Sequence, residues 1–279
     1  MPGFLDLPLE LRNHVYELLL GQELEPSFRG VMVVSEQYVK NDLPLRCFRS
    51  LLRVCRQINC EFEHAIQHLV ASKQLDYTLD ITFSHGRPYF SLTWIRFPSL
   101  SPTINHLSIN VDLRTREPLR DGLTESSMPR EGELTHLLED SGKNFAVQLF
   151  DYIAILLKTL ATLLSHGNSN FRVLYTEVVT LNFRTPTKLI LPIRSGLHND
   201  TQYTRRVHVD KASAQSLHET MQDTLKATSQ RFKAFNASEC DRLFPLIQIG
   251  SLRFATEGEV WGEGHNLVLA HDDFQWLRY

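Results

Sequence analysis

The chain has 279 residues, 42% of them hydrophobic and 22% charged, with a net charge of −3 at pH 7. That length suits one large or two modest domains with a substantial core, and the balance is ordinary for a soluble globular protein. It excludes a membrane span, which needs about 18 consecutive apolar residues, and a protein whose main partner is nucleic acid, for which the charge has the wrong sign. The N-terminus, MPGFLDLPLE, is acidic where a signal peptide is basic, so an intracellular location, cytoplasmic or nuclear, is expected. The four cysteines, Cys47, Cys55, Cys60 and Cys240, have no C-x-x-C spacing. They point to a reducing compartment rather than to disulfides or zinc.

Phe4 to Leu20 reads as an amphipathic helix. Leu7, Leu11, Val15 and Leu18 recur at the spacing of one helical face. Pro8 suits a first turn, Glu10 favours the positive helix start, and Gly21 supplies the stop. In the insert at 22–44, Val31 to Val34 and Tyr38-Val39 flank Ser35-Glu36-Gln37, which predicts a small hairpin. A second helix is expected from Leu45 to about Val70. On it Phe48, Leu51, Leu52, Cys55, Ile58 and Phe62 share one side, with Arg46, Arg49, Arg53 and Arg56 opposite.

These two stretches carry a resemblance. Leu7-Pro8-x-Glu10-Leu11, then Val15-Tyr16 and Leu19, then Leu51-Leu52 and Val54-Cys55-Arg56, look like the signature of F-box proteins. LPLELRNHVYELLL followed by SLLRVCRQINCEF resembles the fungal F-box-like subgroup, and Glu10-Leu11-Arg12 matches one E-x-R of the related twin E-x-R domains. The chain departs from the pattern in carrying Ile58 where the second helix usually has Trp, and in the insert at 22–44. The resemblance covers roughly the first quarter of the chain.

Leu75 to Phe83 is the clearest strand. Leu75, Tyr77, Leu79, Ile81 and Phe83 alternate with Asp76, Thr78, Asp80 and Thr82, which predicts one dry and one wet face. His85-Gly86-Arg87-Pro88 turns the chain into a partner strand at Tyr89 to Phe97. A looser repeat follows in Ile104 to Leu113, Val178 to Arg184 and Ile247 to Phe254. Its strand cores are Leu107 and Ile109, Leu181 and Phe183, Leu252 and Phe254. Two amphipathic helices separate them, one marked by Phe145, Leu149, Ile153, Leu156, Leu160 and Leu163. The other is marked by Ala214, Leu217, Met221, Leu225, Thr228 and Phe232. Strand–helix–strand–helix–strand predicts parallel pairing through helical crossovers. Residues 114–142 and 195–205 are polar and read as loops, the first of them mobile. At the C-terminal end come Trp261, a turn at Gly262-Glu263-Gly264, a short strand at Leu267 to Leu269 and an aromatic tail expected to dock.

The expected class is therefore α+β to α/β: an N-terminal helical F-box-like region at 1–72, with its insert at 22–44, and a mixed sheet with crossover helices over 73–279. No G-x-S-x-G, P-loop, H-E-x-x-H or Rossmann glycine pattern occurs, so no catalytic residue is assigned and no enzyme is expected. His64 and His68 stand four apart, but with no third ligand nearby they read as a solvated helix face, and neither metal nor cofactor is expected. His265, His271, Asp272 and Asp273 read as a capped loop rather than acid–base machinery. The Arg46/Arg49/Arg53/Arg56 stripe is a solvated face or a contact for an acidic protein.

The resemblance implies a non-enzymatic substrate-recognition adaptor of a cullin-type ubiquitin ligase. Its docking residues for a Skp-type adaptor protein would be Leu7, Pro8, Leu11, Val15, Tyr16, Leu19 and Leu51, with Arg53 and Arg56 as rim charges. Residues from about 73 onward would present an unknown protein substrate. The competing reading is a stand-alone fungal interaction or structural protein in which these helices are internal core, and in that case Leu7, Leu11 and Val15 are fully buried.

Overall fold

The computed structural model describes residues 3–24, 31–33, 51, 53–84, 90–99, 103–116, 145–164, 174–184, 204–206, 209, 212, 214–219, 221 and 245–270. Its helices are α1 (Leu9–Gly21), α2 (Arg56–Ala71) and α3 (Phe145–Leu164). Its strands are β1 (Val31–Val33), β2 (Asp76–Ser84), β3 (Phe90–Arg96), β4 (Thr103–Arg116), β5 (Leu174–Phe183), β6 (Thr204–Arg206), β7 (Pro245–Thr256) and β8 (Glu259–Ala270). They join in one mixed sheet in the order β1-β3-β2-β4-β5-β7-β8, with β6 beside β4.

β2, β4, β5 and β7 run parallel, and α3 lies in the connection from β4 to β5. A helical stretch at 214–219 lies between β5 and β7. This is the crossover arrangement that the alternation of strand and helix predicts. The loose repeat proves to be a stack of neighbours. Leu107 pairs with Val179 and Val179 with Leu252; Ile109 pairs with Leu181 and Leu181 with Phe254. α3 packs on β5 and β7, and Leu149, Ile153, Leu156 and Leu160 enter the main core with Ala214, Leu217 and Met221. β2 and β3 form the expected antiparallel hairpin.

Several expectations need correction or extension. Along β2 the odd positions Leu75, Tyr77, Leu79 and Ile81 are buried as predicted, yet Asp80 (0% exposed) and Thr82 (5%) are buried too. A polar ladder explains Asp80. Its Oδ1 accepts from Asn110 Nδ2 at 2.7 Å, Asn110 Oδ1 accepts from Asn182 Nδ2 at 3.1 Å, and Asn182 Oδ1 accepts from the Gly258 amide at 2.9 Å. The central strands of a parallel sheet are covered on both faces, and these side chains bond one another there instead of bonding water.

The second helix is not continuous from Leu45. Arg53 and Val54 form a turn, Cys55 is extended, and its Sγ accepts from the Ile58 amide to cap α2. Arg53, in the turn, and Arg56, on α2, therefore do not share one helical stripe.

The insert's Val31–Val33 pairs antiparallel with β3; the expected return strand at Tyr38-Val39 lies outside the described residues. Finally, the turn near the C-terminal end is Glu257-Gly258, where φ is 48° and 90°. Two consecutive positive values are what a two-residue hairpin with right-handed twist requires. Gly262-Glu263-Gly264 instead lies within β8 beside register shifts against β7.

The loops expected over 114–142 and 195–205 begin and end differently, because 114–116 belong to β4 and pair antiparallel with 204–206 of β6. Several sequence expectations lie outside the described residues: the side of the second helix at Phe48 and Leu52, Arg46 and Arg49, the turn at 85–88, the rest of those two loops, the rest of the second crossover helix, and the aromatic tail. Among the described residues no helix is long and apolar enough to cross a membrane.

The helices α1 and α2 make a core of their own from Tyr16, Leu20, Ile58, Phe62 and Ala65. Leu69 touches both this cluster and the main one. The Leu24 amide also donates to the Ile95 carbonyl at 2.7 Å, tying the end of the first helical segment to β3.

Candidate functional site

α1 begins where Pro8, extended at ψ 148°, lends its carbonyl to the Leu11 and Arg12 amides. Just before it, Phe4–Asp6 makes a single tight turn in which Asp6 Oδ2 accepts from the Gly3 amide at 2.6 Å. On α1, Arg12, Tyr16 and Leu20 face inward and are buried. At four-residue intervals they form one line, and Tyr16 meets Phe4 and Phe62 edge-on with ring centroids 5.7 Å apart.

A charged residue on that inward line needs a partner, and Glu61 of α2 supplies it. Arg12 Nε donates to Glu61 Oε2 at 2.9 Å and Arg12 Nη2 to Glu61 Oε1 at 2.8 Å, a bidentate fork. Tyr16 Oη donates to Glu61 Oε2 at 2.9 Å, and Gln57 Nε2 to Oε1 at 2.9 Å. Arg12 Nη1 reaches the Leu5 carbonyl at 3.0 Å and also the Leu7 carbonyl. Bonding to Arg12 above all, then to Gln57 and Tyr16, holds the Glu61 carboxyl down to about 2. Burial, with the bond to Glu61, pushes the Tyr16 phenol up to about 12, and Glu61 likewise raises Arg12.

With that face closed, the leucine stripe read from the sequence is the one left outside. Leu11 is 53% exposed, Leu18 61% and Leu7 36%, and Leu5, Leu9 and Leu19 are exposed beside them. Val54, in the turn before α2, is 63% exposed. Large apolar side chains bared on successive turns of one helix form an adhesive face rather than scattered surface residues.

The residues expected to dock therefore divide. Leu7, Pro8, Leu11 and Leu19 are exposed on α1 or its approach, and Val15 is half-buried. Arg53 and Arg56 are exposed at the start of α2. Leu51 is half-buried and packs against the small core. Tyr16 does not belong to the surface: it is fully buried and bonds to Glu61, so it serves the interior of the helix pair. Arg12 and Glu61 escaped sequence reasoning as functional residues, although Arg12 stands four residues before Tyr16 and eight before Leu20. A charge in line with two buried side chains was the available signal.

His64 and His68 are exposed on α2. His265 is not in a capped loop but within β8, its Nε2 3.0 Å from Nε2 of His218. His218 is itself packed edge-on against Trp261 and Phe254. Ring centroids 5.1 Å apart with the two nitrogens at 3.0 Å place the imidazoles nearly head to head, as in an N–H···N hydrogen bond in which one ring donates and the other accepts. No family model, no curated protein and no solved structure matches the chain.

Proposed function

We propose that this protein is a non-enzymatic substrate-recognition adaptor of a cullin-type ubiquitin ligase, docking a Skp-type adaptor through its N-terminal helices. The observation that carries the reading is the exposed apolar face made by Leu11 and Leu18 on α1 and by Leu7 just before it, on a helix whose opposite face is already closed by Arg12, Tyr16 and Leu20. A helix serving only its own fold has no use for a second apolar face, and covering one on a partner is favourable by roughly 25 cal/mol per Å². The partner's identity rests on the likeness of LPLELRNHVYELLL and SLLRVCRQINCEF to the F-box pattern. Leu7, Leu11, Val15 and Leu19 are the anchors, with Leu18 added, and Arg53 and Arg56 are the rim charges. The sheet of 73–279 presents the substrate.

The test is co-purification of a Skp-type adaptor with tagged wild-type protein and with a Leu11→Asp/Leu18→Asp variant. Both side chains are more than half exposed, so the variant keeps its fold. A carboxylate forced into an apolar interface costs several kcal/mol, enough to erase a micromolar complex. Adaptor recovered with wild type and lost with the folded variant is the expected result. Adaptor retained by the folded variant, or never recovered with wild type, overturns it.

A further inference from the structure

The exposed leucines come from two kinds of backbone. Leu11 and Leu18 ride on α1, but Leu5 and Leu7 sit on a short segment held by few bonds of its own. Within it, the Asp6 amide reaches the Gly3 carbonyl and the Leu7 amide the Phe4 carbonyl, at 3.0 and 3.3 Å. Phe4 packs its ring on Tyr16, and the side-chain hydrogen bonds that join residues 5–7 to the helices come from Arg12. One guanidinium nitrogen takes the Leu5 and Leu7 carbonyls while the other two nitrogens grip Glu61. We infer that Arg12 is a positioning residue for the docking face: it fixes residues 5–7 against the helix pair so that Leu5 and Leu7 are presented in line with Leu11.

The chemistry needs arginine. Its planar fork carries five donors in fixed directions, so one side chain can satisfy a carboxylate on one side and two carbonyls on another. Lysine offers a compact ammonium that pairs with Glu61 or with the carbonyls but does not span both. Glu61 keeps the guanidinium in place, and Tyr16 and Gln57 orient the carboxylate. Affinity follows from pre-organisation: if the segment is ordered only a tenth of the time in the free protein, apparent affinity falls about tenfold with no contact removed. This inference rests on the docking reading, and its test has a readout independent of it.

Three variants separate positioning from mere bridging of two helices. Arg12→Lys retains a positive charge beside Glu61. The exchange Arg12→Glu with Glu61→Arg restores an ion pair between α1 and α2, but leaves no donor at position 12 for the Leu5 and Leu7 carbonyls. Glu61→Gln keeps the size of the side chain and removes its charge. Amide hydrogen exchange at Asp6 and Leu7 is measured in the free proteins, and affinity for a Skp-type adaptor by calorimetry. Positioning predicts fast exchange at both amides and about tenfold weaker binding in Arg12→Lys and in the charge exchange, with the amides of β4 and β5 as protected as in wild type. Wild-type affinity and slow exchange in the charge-exchanged protein overturn the inference, because the helix bridge alone then suffices. Should that protein fail to fold, slow exchange at Asp6 and Leu7 in Arg12→Lys overturns it equally. Wild-type protein that binds no adaptor overturns the docking reading, and the exchange rates still decide whether Arg12 holds the segment.

Discussion

The Arg12 guanidinium and the Glu61 carboxylate meet in a two-bond fork, at 2.9 and 2.8 Å, across 49 residues of sequence. This contact ties α1 to α2 beside a core of only a few residues, on the same inward line of α1 as the buried Tyr16 and Leu20. The stability of the helix pair therefore depends on the charge of Glu61.

The acid dependence has a definite sign. The Glu61 carboxyl is held at about 2 in the fold, against 4.5 for the free group. Its contribution is fully present above pH 4.5 and is lost as pH falls through about 2. Protection of α1 amides should weaken across that window in wild type and lack this component in Glu61→Gln. At the alkaline end the Tyr16 phenol, raised from 10.0 to about 12, contributes stability that is complete below pH 10 and lost as pH rises through about 12. Tyr77, buried and likewise raised to about 12, adds to the same alkaline loss from the main core.

The two faces of the helix pair should respond oppositely to truncation. Phe62 is 1% exposed and packs on Tyr16, so Phe62→Ala should cost about 3–5 kcal/mol in chemical denaturation of the helix pair. Leu18→Ala, at a side chain 61% exposed, should stay within about 0.5 kcal/mol. A large loss at Leu18 would mean that this chain already covers the stripe.

Asn110 is the middle rung of the ladder between Asp80 and Asn182, and it is 7% exposed. Replacing it with Ala takes one donor from Asp80 and the acceptor from the Asn182 amide. Urea unfolding should register a loss of about 1–3 kcal/mol for each buried group left short of a bond. The half-buried Ser108, two residues earlier on the same face, serves as the control, and Ser108→Ala should change little.

Gly262 has φ at 73°, and a Cβ there would lie 2.5 Å from Cε1 of His218. Gly262→Ala should therefore drive the imidazole from its place against Trp261 and break its bond to His265. Thermal unfolding should show the loss, and the His218 and His265 ring signals in NMR should shift together. Gly258, at φ 90° but with open space around a Cβ, should show only the backbone penalty, about 1 kcal/mol.

What the sequence determined by itself is what depends on neighbours a few residues away. The alternation from Leu75 to Ile81, the periodicity of Leu149, Ile153, Leu156 and Leu160, and the start of α1 behind Pro8 are set by side-chain spacing and local backbone geometry; Gly21, expected as the stop, is instead the last helical residue, with Gln22 as the cap. From these followed the hairpin, the crossovers and the parallel neighbours. Tertiary structure decided what depends on distant partners. Asp80 is buried because Asn110 stands 30 residues on, and Asn110 in turn is held by Asn182, 72 residues further. The stripe of Leu7, Leu11 and Leu18 has the periodicity of a core face, yet Arg12, Tyr16 and Leu20 took the inner position. Apolar spacing marks a face that avoids water without saying what covers it. The packing of Tyr16 and Leu20 on Ile58 and Phe62, with the fork between Arg12 and Glu61 on the same side, makes the face this chain covers and leaves the leucines bare.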